Sequence, residues 1–417
     1  MREMKDSGIA WLGNIPEKWS IVANKYVMTK IKHICPEYKG DDILSLTMNG
    51  VVVRDLDAGG KMPTSFDGYQ ILYPCNLLMC LFDYDVTPRC IGLIKNYGIT
   101  SPAYSQFSLD KGNDASYYYY YYLMLDNEKT LLHLAKNLRH SFTEEQLGAI
   151  KIPVPPVAEQ KRIASFLDSK CSEIDALTAD IQKEIEILQE YRKSVITEAV
   201  TKGLDPDVEM KDSGVEWIGE IPSNWKVRKI KYSLRREEPK KPGNVPVLSL
   251  YREYGVVPKD SRDDNHNITS LDTSKYKYVL PGDFVINKMK AWQGSVAVSK
   301  FEGIVSPAYY VYHFKDKNIC KEYFHFLLRS CYKDEFRRIS GGIREGQWDL
   351  PSEMFEAIPF LMPPYKEQQN IVSYLDTKCA EIDSIISDKQ KQLDTLAEYR
   401  KSLIYEYVTG KKEVPVC

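Results

Sequence analysis

Little in this chain points to chemistry of its own. Its nine cysteines are scattered, Cys75 and Cys80 are the closest pair, and no CxxC occurs. That spacing favours free buried thiols in a reducing cytoplasm over a metal or redox site. The six histidines do not cluster beside the cysteines. No apolar run reaches the ~18 residues of a membrane span. The opening MREMKDSGIAW has no apolar core of a secretory signal. A net charge of −2 excludes a uniformly basic coat, although an average can hide a patch.

Catalytic signatures are missing too. There is no GxxxxGK[ST] phosphate loop, and no glycine-rich dinucleotide or S-adenosylmethionine fingerprint follows a strand. MPPY at Met362 lacks the leading side-chain oxygen with which adenine amino-methyltransferases accept from the amino group, and its counterpart reads VPPV. EQK at Glu159 has the E-x-K shape of a metal-dependent nuclease, but EQQ at Glu367 loses the lysine. Both segments stand at the start of a long helical pattern and read as hinge and helix start. No active site is legible.

What is present is repetition. MKDSGIAWLGNIPEKW from Met4 returns as MKDSGVEWIGEIPSNW from Met210, identical at ten of sixteen positions and displaced by 206. PPVAEQKRIASFLDSKCSEID from Pro155 returns from Pro363, and EYRKSVITEAVT from Glu190 returns from Glu398, both displaced by 208. GITSPAY (Gly98 to Tyr104) matches GIVSPAY (Gly303 to Tyr309) at 205, and LSL at Leu44 matches LSL at Leu248 at 204. The drift marks short insertions. A period of about 200 residues is far above that of a solenoid, so the chain is one domain-plus-helix unit written twice.

Each unit begins with short β-like runs and turn residues, such as ILSLTMNGVVV and YVLPGDFVINKM. A more helical stretch follows, then a proline-rich hinge, then a long helix. The run SYYYYYYLML from Ser116 favours a strand by propensity, but at 205 it lies on KEYFHFLLRS, whose continuation reads as helix. An amphipathic helix capped by Asp114 or Ser116 is predicted, with some tyrosines buried. Trp11, Trp19, Trp217 and Trp225 read as core anchors at each domain's edge.

Leu167, Ile174, Ile181, Leu188 and Val195 recur every seven residues, with Cys171 and Ile185 on a second seam. Leu375, Ile382, Lys389, Leu396 and Leu403, with Cys379, Ile386 and Leu393, repeat the pattern. Sustained heptads predict a coiled coil. No proline or glycine falls between Glu159 and Thr201, which gives a rod of roughly 65 Å at ~1.5 Å per residue. The expected fold class is α+β: two similar mixed domains joined by two long antiparallel coiled-coil helices in an internal pseudo-twofold repeat. The expected boundaries are a domain over 1–154, a helix over 155–203, a second domain over 204–362 and a second helix over 363–412.

Charge is uneven. From Lys226 to Lys300 there are sixteen basic residues against eight acidic ones, and the same stretch of the first half is not basic.

The duplicated domain plus helix, the EQ heading each rod, SPAY and the Pro-Pro hinge together resemble the specificity subunits of type I restriction–modification enzymes. INKMKAWQGSVAVSKFEGIVSPAYYV, GGIREGQW and IPFLMPPYKEQQNIVSYLD carry the likeness, which covers essentially the whole chain. The resemblance implies that each domain is a target recognition domain reading one half of a bipartite double-stranded DNA site, and that the helices fix the spacing. It implies two methyltransferase subunits and a motor-nuclease subunit as partners. It also implies no catalytic residues and no cofactor in this chain, with S-adenosylmethionine, ATP and Mg on the partners. The setting is the prokaryotic cytoplasm, with no membrane. Alternatives are the specificity protein of another multi-subunit DNA modification system, or a coiled-coil scaffold without DNA readout.

Candidate contact residues follow from side-chain type and position. Arg344 aligns with Arg139, and a guanidinium there could grip a phosphate, read guanine bidentately, or form an internal ion pair. Lys288 and Lys290 precede Trp292 and Gln293, which fits a backbone-contacting loop or plain solvated lysines. Tyr251, Arg252 and Tyr254 follow the second LSL, where the first copy has Thr47, Met48 and Asn49. Gln347, Arg54 and Arg89 complete the DNA-contact set.

Overall fold

The computed structural model describes residues 2–57, 63–110, 112–135, 140–236, 245–251, 254–261, 272–342 and 348–415. The chain divides into two compact units, Met1–Gln182 with Gln390–Cys417, and Lys183–Lys389. Helix Val157–Lys202 and helix Tyr365–Val408 each give one part to each unit.

Unit 1 is built on a four-stranded antiparallel sheet in the order Met28–Ile31, Ser105–Leu109, Leu77–Met79, Ile91–Leu93. Short two-stranded ladders surround it. Met4–Asp6 pairs with Asn14–Pro16, Ser20–Ala23 with Lys151–Val154, Leu44–Thr47 with Gly50–Val53, and Gln70–Leu72 with Gly98–Thr100.

In unit 2 the sheet order is Leu234–Arg236, Tyr309–Phe314, Phe284–Asn287, Val296–Val298. Its ladders join Met210–Asp212 to Glu220–Pro222, Lys226–Lys229 to Pro359–Met362, Leu248–Tyr251 to Gly255–Pro258, and Lys277–Val279 to Gly303–Val305.

The repeated sequence blocks have separate physical reasons. Glycine in GI[TV]SPAY permits close approach: a Cβ on Gly98 would lie 2.6 Å from the Asp42 carbonyl oxygen, and one on Gly303 would lie 2.4 Å from that of Pro246. The hairpin chain can therefore bridge in parallel to the next residue, Ile43 to Ile99 and Val247 to Ile304. SPAY then turns, Tyr104 N donating to Ser101 O at 3.2 Å and Tyr309 N to Ser306 O at 3.1 Å.

The EQ pair at each helix head is a lock. Gln160 is fully buried, accepting from Asp114 N at 2.8 Å and donating to Asn113 Oδ1 and Pro155 O. Gln368 repeats this with Cys320 N, Asn318 O and Pro363 O. Every polar atom of the buried amide is thereby satisfied. The preceding glutamate takes the indole N–H of the repeated tryptophan, Trp19 to Glu159 at 3.1 Å and Trp225 to Glu367 at 2.8 Å.

Trp19 and Trp225 are fully buried core anchors, as expected. Trp11 is only half-buried, and Trp217 is 39% exposed, its ring edge-on to Tyr332. The first tryptophan of the motif thus caps each core's edge.

The tyrosine run forms helix Ala115–Asn127, capped by Asp114, whose side chain accepts from Tyr117 N at 3.0 Å. It differs from the expectation in one respect. Tyr117, Tyr118, Tyr120, Tyr121 and Tyr122 are all buried, so the helix is enclosed on most sides and not amphipathic. Its counterpart, Lys321–Cys331, is amphipathic.

Leu167, Cys171, Ile174 and Leu403 lie in the core of unit 1, as do Leu375 and Cys379 in that of unit 2. In unit 1, Phe166 stacks on Tyr407 and Asp175 pairs with Arg400, so numbering falls on one helix segment as it rises on the other. In unit 2, Asp383 pairs with Arg192 and Lys389 with Glu184, again in opposite order. Asp175–Arg400 and Asp383–Arg192 are the same pair under the repeat.

Candidate nucleic-acid interface

The basic segment of unit 2 converges on one loop. Strands Phe284–Asn287 and Val296–Val298 are joined by Lys288 to Ser295, which makes a tight turn at Ala291–Gln293 and closes through Gly294 at φ 87°. That φ favours glycine. Lys288 Nζ pairs with Asp349 at 3.0 Å, and the Lys288 carbonyl accepts from Leu350 N at 3.1 Å. The Trp292 ring lies edge-on to Trp348 at 5.5 Å, its N–H donating to Met289 O. The loop is therefore fastened to the chain that follows GGIREGQ. Lys290 stands exposed at the start of the turn and Gln293 is half-buried within it.

The Leu248–Tyr251 hairpin reaches the same place. Burial pushes the Tyr309 phenol up, against hydrogen bonds from the Leu250 backbone and the Asn287 side chain, and Tyr251 and Tyr276 lie close by. Tyr251 meets Tyr254 edge-on at 6.5 Å. The structure so gathers Lys288, Lys290 and Gln293 in one loop of unit 2, with Tyr251 near Tyr309, the strand partner of Asn287 at the loop's base. Such a loop face offers cations for phosphate and an amide for base edges. Arg344, Gln347, Arg252 and Arg139 lie outside the described residues.

On the opposite side of the strand from Tyr309, Tyr310 carries Arg236 at 5.4 Å and Lys277 at 5.5 Å from its ring centroid. The sequence reading missed this pairing. Its signal was the alternation in SPAYYVY, which turns every second aromatic to the same side of a strand.

Unit 1 uses the same position differently. Its loop runs from Cys80 to Cys90 and carries Asp83 and Asp85 where unit 2 carries lysines. Arg89 turns inward: its side chain is 15% exposed and donates to Asp126 at 3.2 Å and Asn127 at 3.0 Å. Asp126 also takes Lys129 Nζ at 2.7 Å and Cys90 N at 3.0 Å. The expectation of Arg89 as a DNA contact gives way to an internal ion pair, because a buried carboxylate needs its cations. Arg54 is half-buried after strand Gly50–Val53, its N–H bonded to Ile43 O at 2.7 Å.

Among the described residues, no group of three or more His, Cys, Asp or Glu side chains is placed to hold a metal. No described helix is long and apolar enough to cross a membrane.

The family model for the type I restriction modification DNA specificity domain matches residues 92–187 and 222–395. The type I restriction enzyme MjaVIII specificity subunit of Methanocaldococcus jannaschii is 28% identical over 287 residues, which are 64% of this chain and 63% of that protein. The matched region thus spans less than two thirds of this relative's length. Among solved structures, a chain described under the complex assembly and conformational transition of the type I R-M system superposes with a TM-score of 0.72 at 13% identity, covering 95% of this chain and 99% of that one. The HsdS subunit from Thermoanaerobacter tengcongensis gives a TM-score of 0.52 at 13% identity, covering 95% and 98%. At these identities the likeness to solved structures concerns the fold.

Proposed function

Because the chain belongs to the type I restriction–modification DNA specificity family, we propose that it is the non-catalytic DNA-recognition subunit of such a complex, each unit reading one half of a bipartite double-stranded site. One observation carries the reading: the frame is the same in both units and the loop is not. Sheet order, glycine contact, buried glutamine and Trp–Glu bond all repeat. The strand-to-strand loop instead changes from CLFDYDVTPRC to NKMKAWQGS. Two readers of different sequences need a common scaffold and unlike contact loops.

In this reading residues 1–154 and 204–362 are the target recognition domains. Residues 155–203 and 363–412 pair as an antiparallel coiled coil under a pseudo-twofold repeat and set the half-site spacing. The equivalent ion pairs Asp175–Arg400 and Asp383–Arg192 support that role. The helices also dock two methyltransferase subunits, and a motor-nuclease subunit joins for restriction. Exposed apolar side chains on the helices support docking: Leu177 and Tyr399 in unit 1, Ile385 and Tyr191 in unit 2. S-adenosylmethionine, ATP and Mg belong to the partners. Among the described residues, Lys288, Lys290, Gln293 and Tyr251 are the proposed DNA contacts of unit 2, with Arg344, Gln347 and Arg252 completing its set. Arg54 and Arg139 are those of unit 1.

The test is insertion of four residues after Thr178. This adds ~6 Å and turns the following helix by about 400°, close to one full turn, so the seam stays nearly in register. Methylated-site sequencing of a host carrying the variant and its partners should return the same two half-sites with a gap longer by about one or two base pairs. A changed half-site at fixed spacing would reject the helices as the ruler.

A further inference from the structure

The loop peculiar to unit 1 has a cysteine at each end of its neck. Strands Leu77–Met79 and Ile91–Leu93 pair with Met79 opposite Ile91, which sets Cys80 opposite Cys90 one step further. Cys80 N donates to Cys90 O at 2.9 Å. Directly opposed strand residues have Cα atoms ~4.5–5.5 Å apart, inside the roughly 4.4–6.8 Å that a disulfide spans. Both residues are buried, with the Cys80 S–H donating to Phe82 O at 3.3 Å and the Cys90 S–H to Thr87 O at 3.6 Å.

The surroundings favour a reactive pair over an inert one. The neighbouring Cys90 thiol holds the Cys80 thiol below its ordinary value, against the effect of burial. Lys129 Nζ lies 3.5 Å from Cys90 Sγ. It only partly offsets the neighbouring thiol and the burial that push Cys90 up, so Cys80 is the sulfur that reacts first and Cys90 the one that resolves. A small, partly open space of about 20 Å³ is lined by Cys80, Cys90, Tyr84 and Asp126 among others, enough for a water-sized molecule. At the matching positions unit 2 has Asn287 and Ser295, with Asn287 N donating to Ser295 O at 3.1 Å. The backbone frame is kept there without the thiols.

We propose that Cys80 and Cys90 are a modification site, a cross-strand dithiol that a hydroperoxide oxidises to a disulfide, closing the loop from Leu81 to Arg89 at its neck. The Cys80 thiolate attacks the terminal peroxide oxygen. The O–O bond breaks and the leaving hydroxide, or alkoxide, takes up a proton, leaving Cys80 as sulfenic acid. Cys90 sulfur then attacks Cys80 sulfur, the S–O bond breaks, and the departing hydroxide leaves as water with the Cys90 proton. With hydrogen peroxide the balance is two thiols and one peroxide in, one disulfide and two waters out. Thiol reductants reverse it.

The test uses the full-length reduced chain titrated with hydrogen peroxide, then denatured, alkylated and digested for mass spectrometry. Expected are the loss of two alkylatable thiols, a peptide linked through Cys80 and Cys90, and recovery of both thiols with dithiothreitol. A Cys75→Ser background keeps the assignment clear, since Cys75 and Cys80 share a peptide. In Cys90→Ser the reaction should stop at a Cys80 sulfenic acid that a cyclic diketone traps, which reads the chemistry even if the loop loosens. Exposed Cys75 serves as the internal dose control in the wild-type chain. If Cys80 and Cys90 stay fully alkylatable at doses that oxidise Cys75, or if Cys90 is found linked elsewhere, the site is refuted.

Discussion

The indole N–H of Trp225 donates to the Glu367 carboxylate at 2.8 Å, tying the second repeated tryptophan to the head of a helix that begins 140 residues later in the chain. Asn224 adds a longer bond of 3.3 Å to the other oxygen. In unit 1 the equivalent Glu159 also holds Arg2 in an ion pair. Trp225→Phe keeps most of the ring in the core and removes the donor, leaving a partly buried carboxylate short of a partner. A loss of about 1–3 kcal/mol is expected in urea unfolding. Trp19→Phe should cost less, because Arg2 still neutralises Glu159. Equal losses would mean that the hydrogen bond matters little beside the ring's burial.

Two glycines of unit 2 make a matched pair of tests. A methyl group on Gly303 would sit 2.4 Å from a backbone oxygen, which cannot move without breaking the hairpin's seat, whereas one on Gly341 meets nothing within 4 Å. Gly303→Ala should destabilise by about 1–3 kcal/mol through overpacking. Gly341→Ala should be within about 0.5 kcal/mol of neutral. Thermal unfolding of both variants decides the point, and similar melting temperatures would contradict the close approach.

The repeat was legible in the sequence because its constraints are local and strict. A glycine with no room for a Cβ and a glutamine whose amide is wholly used leave few substitutes, so those letters recur. Helix heads and the hinge were readable for the same reason. Loop roles were not. Arg89 and Lys288 are both basic residues beside a sheet, and only the carboxylates that the fold brings to them differ: buried Asp126 for one, part-exposed Asp349 for the other. Those partners come from 37 and 61 residues away, beyond any local pattern. The tyrosine run misled on amphipathicity because tyrosine tolerates burial when its ring packs and its hydroxyl finds a carbonyl. Tyr117 does this with Val408 O at 2.8 Å.

That contrast gives opposite expectations for two basic residues. Lys290→Ala, in the complex with partner subunits, should weaken DNA binding and reduce the slope of log K against log salt by about 0.9 if it contacts one phosphate. Gln293→Ala should relax preference within one half-site and leave the salt slope alone. Arg89→Ala should leave the salt slope unchanged and destabilise unit 1, because Asp126 then keeps Lys129 as its remaining cation. Binding titrations at several salt concentrations, run beside unfolding curves, separate these effects. A salt slope that moves with Arg89 and not with Lys290 would reverse the assignment.

Acid should weaken unit 2 through His325. Its ring sits on helix Lys321–Cys331 and Nδ1 accepts from Val298 N at 3.1 Å, a bond only a nitrogen without a proton can take. Burial, with Arg329 and Lys300 nearby, holds its pKa down to about 4 from 6.5. Between those values the unfolded chain binds a proton that the folded chain refuses. Stability contributed by the neutral ring is therefore complete above pH 6.5 and drains away as pH falls toward 4. Below that both states are protonated and the slope vanishes. A shift of this size amounts to on the order of 3 kcal/mol across the window, at ~1.4 kcal/mol per pH unit. His325→Gln can still accept from Val298 through its amide oxygen but does not titrate. Subtracting its pH–stability curve from that of the parent removes the contribution of Asp283 and the other carboxylates of unit 2. The difference should rise by on the order of 3 kcal/mol from pH 4 to pH 6.5 and then stay level. A flat difference across that window would mean that the ring protonates in the folded state and Val298 finds another acceptor.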